Sequence, residues 1–278
     1  MSYSKSNNQL QDPETFNVDN ILFSDPLTLP IPNSSLTYQQ IKVWARNEDG
    51  TVGDFILKTE QVFSFGLSET TSLDKGEVNG YSVPLCMWTR DGKTPEEERW
   101  TNLYDNIIKK MKKHLVDVRG DIGQFDLDLS DLKRFDPMHW KRDRTGIVAG
   151  TGPTLYSKVI VSKKDNQFNI LTQFYDDDTG EHINPMDLMG KYCLVQAAIK
   201  FESIYIGNRM KPQIKLYEAR VKIIDTGMKR LLSVKPSAPI EIESKAVPAV
   251  SGSSNPPKFE ISDSEDEDTP PRPMLRKR

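Results

Sequence analysis

The clearest alternation of apolar and polar positions in the chain lies in residues 191–224. In the first half of this segment the polar residues Gln196, Lys200 and Glu202 occupy even positions. Apolar residues occupy the odd positions: Cys193, Val195, Ala197, Ile199 and Phe201. A period of two is typical of a β-strand with one buried face. The segment therefore predicts a strand that presents cations and aromatic rings on its open side.

A second run of the same kind follows the break at residues 206–212. Its apolar positions are even at Ile214 and Leu216, and odd at Ala219, Val221 and Ile223. A β-bulge near Tyr217 would produce this change and would bend the strand. The alternative is that the two even residues face a second apolar layer. Both interpretations place two long neighbouring strands in the last third of the folded region.

Shorter strand-like runs precede this pair, separated by turn residues. The turn at residues 47–50 predicts an N-terminal hairpin, and residues 163–166 and 176–180 are the next turn signals. The pattern predicts strands at residues 38–44, 52–63, 81–88, 121–129, 155–162 and 168–175. Asp126 and Asp128 would then share the solvated face of one strand.

One amphipathic helix is predicted over residues 95–115. Thr94 is a suitable N-cap, Pro95 fits the first helical position, and the acidic residues that follow favour the positive end of the helix dipole. Apolar residues recur at helical spacing: Trp100, Leu103, Ile107, Met111 and Leu115. The helix is expected to bury this stripe against the sheet.

These elements predict a mainly β (α+β) protein. We expect an OB-like curled β-barrel with one prominent amphipathic helix, an N-terminal β-hairpin extension and a disordered acidic C-terminal tail. The domain boundaries follow changes in composition. Residues 1–35 form an N-terminal arm, residues 36–232 the β-rich domain, and residues 233–278 a Pro/Ser-rich linker and acidic tail.

Charge is distributed unevenly along the chain. The formal net charge is -3, but residues 1–60 carry four cations and eight acids, whereas residues 132–230 carry 17 cations and 11 acids. This asymmetry favours an anionic partner for the middle segment. Two cysteines cannot form a disulfide framework, so a reducing compartment is expected. The sequence shows neither a signal peptide nor a membrane span.

Catalytic and metal motifs are weak. The three histidines lack metal-ligand spacing, and residues 146–154 are rich in glycine without a P-loop ending. We therefore predict a protein that is not an enzyme and that has no metal and no cofactor. The alternative is a metal-dependent nuclease that uses Asp176, Asp177 and Asp178, but aspartate and glycine are also ordinary turn residues.

Cations and aromatic rings alternate away from the apolar strand faces. Single-stranded nucleic acid binds such surfaces because cations contact phosphates and rings stack on bases. The predicted nucleic-acid-binding residues are Lys133, Arg134, Trp140, Lys141, Arg142, Arg144, Tyr156, Lys158, Tyr175, Lys200, Tyr217, Arg220 and Lys222.

The C-terminal segment has its own signal. Residues 261–268 form an acidic block, and Ser262 and Ser264 each precede an acid by three residues, which makes them phosphorylation candidates. An acidic tail of this kind can occupy a basic groove of its own chain, recruit a basic partner, or only increase solubility.

The order of motifs resembles a known family. A basic and aromatic loop (FDPMHWKRDRTG) is followed by LYSKVIV, the turn YDDDTGEHINPMDLMGK and the strand pair from Cys193. Over residues 119–224 this is similar to a family of nucleocytoplasmic large DNA viruses of the iridovirus, mimivirus and asfarvirus types. Members of that family are proposed or shown to be OB-fold single-stranded DNA-binding proteins.

The resemblance implies sequence-tolerant binding of single-stranded DNA, or of RNA, in viral replication, recombination or repair. A replication or virion protein is a possible second partner through the acidic tail, and no membrane partner is expected. The expected location is inside the host cell, in a cytoplasmic viral factory or the nucleus, or in the virion. The alternative function is a structural or scaffold protein of the virion that uses the same face to bind protein.

Overall fold

The computed structural model describes residues 9–31, 35–71, 76–88, 92–148, 150–164 and 167–224. Strands dominate this part of the chain, and the mainly β prediction is confirmed. The strands are β1 Leu10–Gln11, β2 Ile21–Phe23, β3 Leu27–Pro30, β4 Thr37–Arg46, β5 Val52–Asp54, β6 Ile56–Ser64, β7 Ser68–Thr71, β8 Val78–Cys86, β9 Met138–His139, β10 Arg142–Asp143, β11 Gly146–Ile147, β12 Thr154–Val159, β13 Val161–Lys164, β14 Gln167–Ile170, β15 Gln173–Asp176, β16 Cys193–Ile206 and β17 Met210–Ile223. Helix α1 spans Pro95–Asp117, and short 3-10 helices span Val18–Asn20, Leu129–Leu132 and Pro185–Leu188.

Five strands pair in a closed ring. The order is β6, β8, β12, β17, β16 and back to β6. Four of the five pairings are antiparallel, and the pairing of β12 with β17 is parallel. The remaining strands of the main sheet extend this ring at its margins. Strand β15 continues beside β17, and β4 continues beside β16.

The hairpin β16–β17 is the longest element of the ring. As the alternation predicts, the odd residues of β16 from Cys193 to Phe201 are buried. The register pairs Ala198 with Glu218 and Ile199 with Leu216, so Tyr217 has no partner in β16. The predicted bulge is therefore confirmed. A second irregularity leaves Glu202 as the additional residue on β16, and such bulges bend the strand that carries them.

Helix α1 covers one side of the ring. It begins with a capping box in which Thr94 and Glu97 bond each other's backbone N–H groups, and it runs two residues beyond the predicted end. The whole predicted apolar stripe is buried. The indole Nε1 of Trp100 donates to the carbonyl oxygen of Lys58 at 3.0 Å, which ties the helix to β6.

A chain of aromatic contacts joins the helix, the ring and the N-terminal segment. Phe201 of β16 stacks on Phe55 at a centroid distance of 4.7 Å, and Phe55 stacks on Phe16 at 4.8 Å. Tyr104 lies between Trp100 and Phe201, with centroids 5.5 and 6.3 Å away. Burial of Tyr104, Phe55 and Phe201 stabilises the centre of the fold, because aromatic side chains remove large apolar areas from water.

The strand predicted over residues 121–129 is wrong. This segment consists of turns and leads into the 3-10 helix Leu129–Leu132. Asp128 is the N-cap of that helix and forms a capping box with Asp131, so Asp126 and Asp128 share no strand face. Short acidic side chains bond nearby backbone N–H groups more readily than they support an extended strand.

The predicted N-terminal hairpin is present only in part. Strands β4 and β5 pair from Trp44 to Asp54 across the turn at residues 47–50. The strand predicted over residues 52–63 breaks at Phe55, and its longer part, β6, joins the ring rather than an extension. The run at residues 168–175 breaks in the same way, so that β14 pairs with β13 and β15 pairs with β17.

The N-terminal arm lies along the domain where it is described. Strand β1 pairs with β6, and β2 and β3 pair with β4. The predicted boundary at residue 232, the acidic tail, Ser262 and Ser264 lie outside the described residues. Within the described ranges, α1 and the other helices are too short or too polar to cross a membrane.

Replacing Phe201 with alanine is expected to lower the free energy of unfolding by about 3–5 kcal/mol, because it removes a fully buried ring from the aromatic chain. Urea denaturation followed by far-UV circular dichroism measures this change. Phe125→Ala is the matched control, since Phe125 is 73% exposed and its loss should change stability by less than about 0.5 kcal/mol. Equal effects of the two substitutions would contradict the packing described here.

His114 makes stability depend on pH. Its ring stacks on Phe23 at 4.1 Å, its Nε2 is buried without a hydrogen-bond partner among the described residues, and burial lowers the pKa of its imidazole against the opposing effect of Asp117. The unfolded histidine takes up a proton near pH 6.5 and the folded one only at lower pH. Stability is therefore full above about pH 6.5 and decreases as the pH falls through the folded pKa.

We expect the wild-type protein to lose stability between about pH 8 and about pH 5.5. The variant His114→Gln should lose less over the same interval, as measured by urea denaturation at both pH values. Identical pH dependence in the two proteins would show that His114 does not couple protonation to folding.

Candidate nucleic-acid interface

One cross-strand row of side chains crosses the outside of the ring. Strand register places Leu194 of β16 beside Phe63 of β6, Phe63 beside Cys86 of β8, and Cys86 beside Thr154 of β12. Thr154 is in turn beside His139 of β9. We call these five positions the outer row.

Alternation fixes the direction in which the outer row faces. The chain neighbours Val62, Leu85, Leu155 and Met138 are all buried in the core. Because successive residues of a strand point to opposite faces, the outer row points away from the core. None of its five members is buried, and His139 is exposed.

Aromatic rings gather at the β6 end of the outer row. Phe63 and Phe65 pack edge to face at 5.1 Å, and Tyr192 lies 5.8 Å from each of them. Phe65 is 39% exposed and Tyr192 is 49% exposed. Rings held at an angle to one another, with open faces, offer surfaces on which planar groups can stack.

A second set of rings gathers at the β12 end. His139 meets Tyr156 edge to face at 5.1 Å, and Trp88 meets Trp140 in the same manner at 5.5 Å. Burial raises the pKa of the Tyr156 phenol, so Tyr156 stays neutral at physiological pH. Strands β6 and β12 are two strand spacings apart, or about 10 Å. The two sets of rings therefore border one continuous surface.

The position of the Trp88 side chain is possible only because residue 152 is a glycine. A Cβ atom at Gly152 would lie 2.7 Å from the Trp88 ring and 2.6 Å from its carbonyl oxygen. The absence of that atom lets the indole lie against the backbone of residue 152. Lys93 Nζ lies 5.9 Å from the centroid of the same ring, within the range of a cation–π contact.

Exposed cations surround the β12 end. Lys133 and Arg134 precede β9 in the chain, and Lys141, Arg142 and Arg144 follow Trp140 around the hairpin β10–β11. All five are exposed, and within the described ranges none of them forms an ion pair. Asp143 bonds the backbone N–H of Thr145 and so stabilises the turn rather than neutralising an arginine.

Most of the other predicted residues lie elsewhere on the ring, and most of their charges are paired. Arg220 and Lys222 bind Asp177 and Asp178, each at 2.8 Å. Lys200 binds Asp54 at 2.7 Å, and its side chain is only 18% exposed. These three cations were predicted to face phosphates, but each already has a carboxylate partner.

Three further predicted positions complete this second group. Tyr175 packs edge to face on His182 at 5.8 Å, and Tyr217 is 39% exposed at the bulge. Lys158 is exposed on β12, in register with Lys215 of β17. Tyr156 is two residues before Lys158, whereas Tyr175 is level with Arg220, five residues beyond Lys215. The two tyrosines are therefore roughly 20 Å apart along the strands, and the predicted nucleic-acid-binding residues separate into two regions, with Lys158 on the side of Tyr156.

Sequence reasoning did not place Phe63, Phe65 and Trp88 in the site. Phe63 was predicted to end a strand of an N-terminal hairpin, so its neighbours on β8 and β16 could not be inferred. For Trp88 the sequence does hold a signal. A glycine such as Gly152 can mark a place where the backbone passes close to a large side chain.

The carboxylates considered for a nuclease are occupied by protein contacts. Asp176 Oδ1 accepts hydrogen bonds from the backbone N–H groups of Asp178 and Thr179, at 3.0 and 2.8 Å. These bonds lower the pKa of Asp176. Across the described ranges, no cluster of three or more His, Cys, Asp or Glu side chains is arranged to hold a metal ion.

Fold and surface together define a mainly β protein, built on a closed ring of five strands. Its outer row has aromatic side chains at both ends, beside cations that form no ion pair among the described residues. The chain belongs to the family described as "Protein of unknown function (DUF2738)", which matches residues 15–256. It is similar to "Uncharacterized protein 007R" of Invertebrate iridescent virus 3, with 28% identity over 167 residues. That match covers 60% of this chain and 35% of the relative, so the chain matches about a third of the relative's length.

Cys86 provides a direct chemical test of the outer row. It is half-buried in the middle of the row, whereas Cys193 is buried and its pKa is raised to about 11. Burial also raises the pKa of the Cys86 thiol. We expect one thiol to react with iodoacetamide in the folded protein, slowly at pH 7 and about tenfold faster per pH unit. Cys86→Ser should abolish this labelling, whereas persistence of the reaction in that variant would contradict the described exposure.

Proposed function

We propose that this chain is a non-catalytic, sequence-tolerant single-stranded DNA-binding protein and that its ring of strands is an OB-like barrel. The strand order supports the barrel. Numbered along the chain, the ring strands β6, β8, β12, β16 and β17 are the first to the fifth, and their order around the ring is 1-2-3-5-4. This is the order of an OB-fold, including the parallel pairing of the third and fifth strands.

One departure from the usual OB arrangement accompanies this order. Helix α1 lies between the second and third ring strands, whereas the helix of an OB-fold usually lies between the third and fourth. The helix still covers the ring through Trp100 and its apolar stripe. The strand order supports the OB-like fold, and the helix covers one side of the core.

The outer row is the observation that carries the proposed function. OB-folds bind oligonucleotides on the face formed by their second and third strands, and in this chain those strands are β8 and β12. The outer row crosses both of them and has rings at each end. The surface that would bind nucleic acid in an OB-fold is therefore one on which this chain exposes aromatic side chains, at both ends of the outer row.

The mechanism combines stacking with charge. Bases would stack on Tyr156, Trp140, Phe65 and Tyr192, and each stacked base contributes about 1–3 kcal/mol without preference for sequence. The exposed cations at the β12 end would contact phosphates and release counterions, which makes affinity fall as salt rises. Duplex DNA keeps its bases stacked on one another, so these rings favour single strands.

The biological setting is proposed from the relative. An iridovirus protein matches the chain, and a viral protein that binds single strands would act in viral DNA replication, recombination or repair. Such a protein would be located where viral DNA is copied, in a cytoplasmic factory or the nucleus, or would be packaged in the virion.

A second candidate function uses the same exposed rings. Phe65 and Tyr192 form an apolar patch, and exposed aromatic patches also mark protein–protein interfaces. A virion scaffold protein would bury this patch against another protein and would show no affinity for oligonucleotides. The binding experiment below separates the two functions.

The test is a salt titration of fluorescein-labelled oligo(dT), followed by anisotropy, with duplex DNA as the comparison ligand. We expect wild-type protein to prefer the single strand and its affinity to fall steeply with salt. Phe65→Leu and Tyr156→Leu should each weaken binding by about 5- to 150-fold, the value of one stacked base. Phe125→Leu is the matched control and should leave affinity unchanged, because its exposed ring lies in the loop after α1.

Two further readouts identify the surface. Arg142→Gln with Arg144→Gln should reduce the slope of log affinity against log salt by about 1.4, since each phosphate contact on a single strand contributes about 0.7. Bound oligo(dT) should protect Cys86 from alkylation. Weak binding that does not respond to salt, or equal binding of duplex, would overturn the proposal.

A further inference from the structure

A short acidic turn lies beside β17 and directs one carboxylate over the outside of β16. We call residues 176–180, which are the last residue of β15 and the turn that follows it, the acidic strap. Asp177 binds Arg220 of β17 at 2.8 Å and accepts a hydrogen bond from Gln61 of β6 at 3.0 Å. Arg220 and Gln61 are both in register with Gln196 of β16. Their strands are two spacings apart, or about 10 Å, so the Asp177 carboxylate lies over the strand between them.

Backbone contacts hold the acidic strap in place independently of its outer carboxylates. Asp176 Oδ1 accepts from the N–H groups of Asp178 and Thr179. The N–H of Asp177 donates to the carbonyl oxygen of Val221 at 3.0 Å, and the N–H of Asp176 donates to that of Glu181 at 2.8 Å. The side chains of Asp177 and Asp178 can therefore change without loss of the turn.

Two carboxylates of the strap form ion pairs with two cations of β17. Asp178 binds Lys222 at 2.8 Å, beside the pair of Asp177 with Arg220. The side chains of Arg220 and Lys222 are 55% and 48% exposed, so solvent reaches both pairs. Ion pairs with this exposure add little to stability, because water and salt screen them. An arriving phosphate, which carries the same charge, can exchange with these carboxylates.

The two cations lie at the end of the outer row. Lys222 of β17 is in register with Leu194, which is itself beside Phe63. A single strand that stacks on the rings of Phe65 and Tyr192 would reach Lys222 and then Arg220 after about two strand spacings. The strap lies across the next stretch of that path.

We propose that Arg220 and Lys222 form a second phosphate-binding region for the same single strand, and that the acidic strap blocks it by mimicking phosphates with Asp177 and Asp178. The proposal rests on the proposed function, since it concerns the path of the bound strand. The strap sets how much of a long oligonucleotide the protein holds. The aromatic rings bind first, and the carboxylates of Asp177 and Asp178 leave their cations only when phosphates follow, while the backbone of the strap stays in place.

The test uses the full chain with Asp177→Asn and Asp178→Asn together. Binding of oligo(dT) of about 16 nucleotides should tighten by about 2- to 30-fold, the value of two surface ion pairs that no longer have to be broken. The salt slope should become steeper by up to about 1.4, because in the wild type the displaced carboxylates of Asp177 and Asp178 take up cations and so offset the counterions that the two phosphates release. Binding of an oligonucleotide of about 4 nucleotides, which covers only the aromatic side chains of the outer row's ends, should stay unchanged.

The matched control neutralises two exposed acids elsewhere, Asp25→Asn and Glu48→Gln. It changes the net charge by the same amount and should leave both affinities and the salt slope close to wild type. Adding Arg220→Gln and Lys222→Gln to the strap variant should return its affinity for the longer oligonucleotide to the wild-type value. Asp178→Asn alone, which frees only Lys222, should give about half of the slope change and provides a second variant if the double variant is unstable.

The outcomes separate this inference from the proposed function. Loss of binding in Phe65→Leu with no effect of the strap variant would overturn the strap alone. A gain that is equal for both oligonucleotide lengths, or equal in the control, would assign the effect to general charge and would also overturn it. Absence of oligonucleotide binding in every protein would overturn the proposed function, and the strap proposal would fail with it.

Discussion

Strands β16 and β17 hold the ring together through one long register. Each has fourteen residues, and between them they contact β6, β4, β12 and β15 on their outer edges. The register is determined by burial: a slip by one residue would turn Val195, Ala197 and Ile199 from the core to solvent. The unpaired Tyr217 allows the hairpin to bend at a defined point without losing this alternation. A straight hairpin of this length would carry β6 and β12 away from each other, and the ring could not close.

Closure of the ring also determines the position of the candidate site. Once the inward positions of β6, β8 and β12 are assigned to the core, their outward positions fall into rows, because paired strands share one pleat. Phe63, Cys86 and Thr154 become neighbours although they are far apart in the chain. Core packing thus brings together the aromatic side chains at the two ends of the outer row. A binding surface of this kind depends on the register of the hairpin as strongly as the core does.

Much of the local structure could be predicted from the sequence, and the reason is local physics. The alternation around Val195, the parity change at Tyr217 and the capping signals at Thr94 are each readable within one segment. The failures arose where a choice depends on distant residues. Asp128 has strand-like neighbours but caps a 3-10 helix, and the run after Val52 leaves its hairpin because β16 offers a longer partner. The pairing of β6 with β8 brings Phe63 into the outer row, and no local pattern encodes a partner strand.

The same limit explains why counting charges could not show which of the predicted cations have a carboxylate partner. Residues 132–230 carry an excess of cations, and the sequence treats Arg142 and Arg220 alike. In the folded chain they differ, because Arg220 has Asp177 at 2.8 Å whereas Arg142 has no carboxylate partner among the described residues. Lys222 and Asp178 lie 44 positions apart and meet only because β15 runs parallel to β17. A cation is available to bind an anion when the fold leaves it without a carboxylate partner. It is also available when its ion pair with a carboxylate is exposed to solvent. In this molecule that property follows from strand order, so topology controls electrostatics as directly as it controls packing.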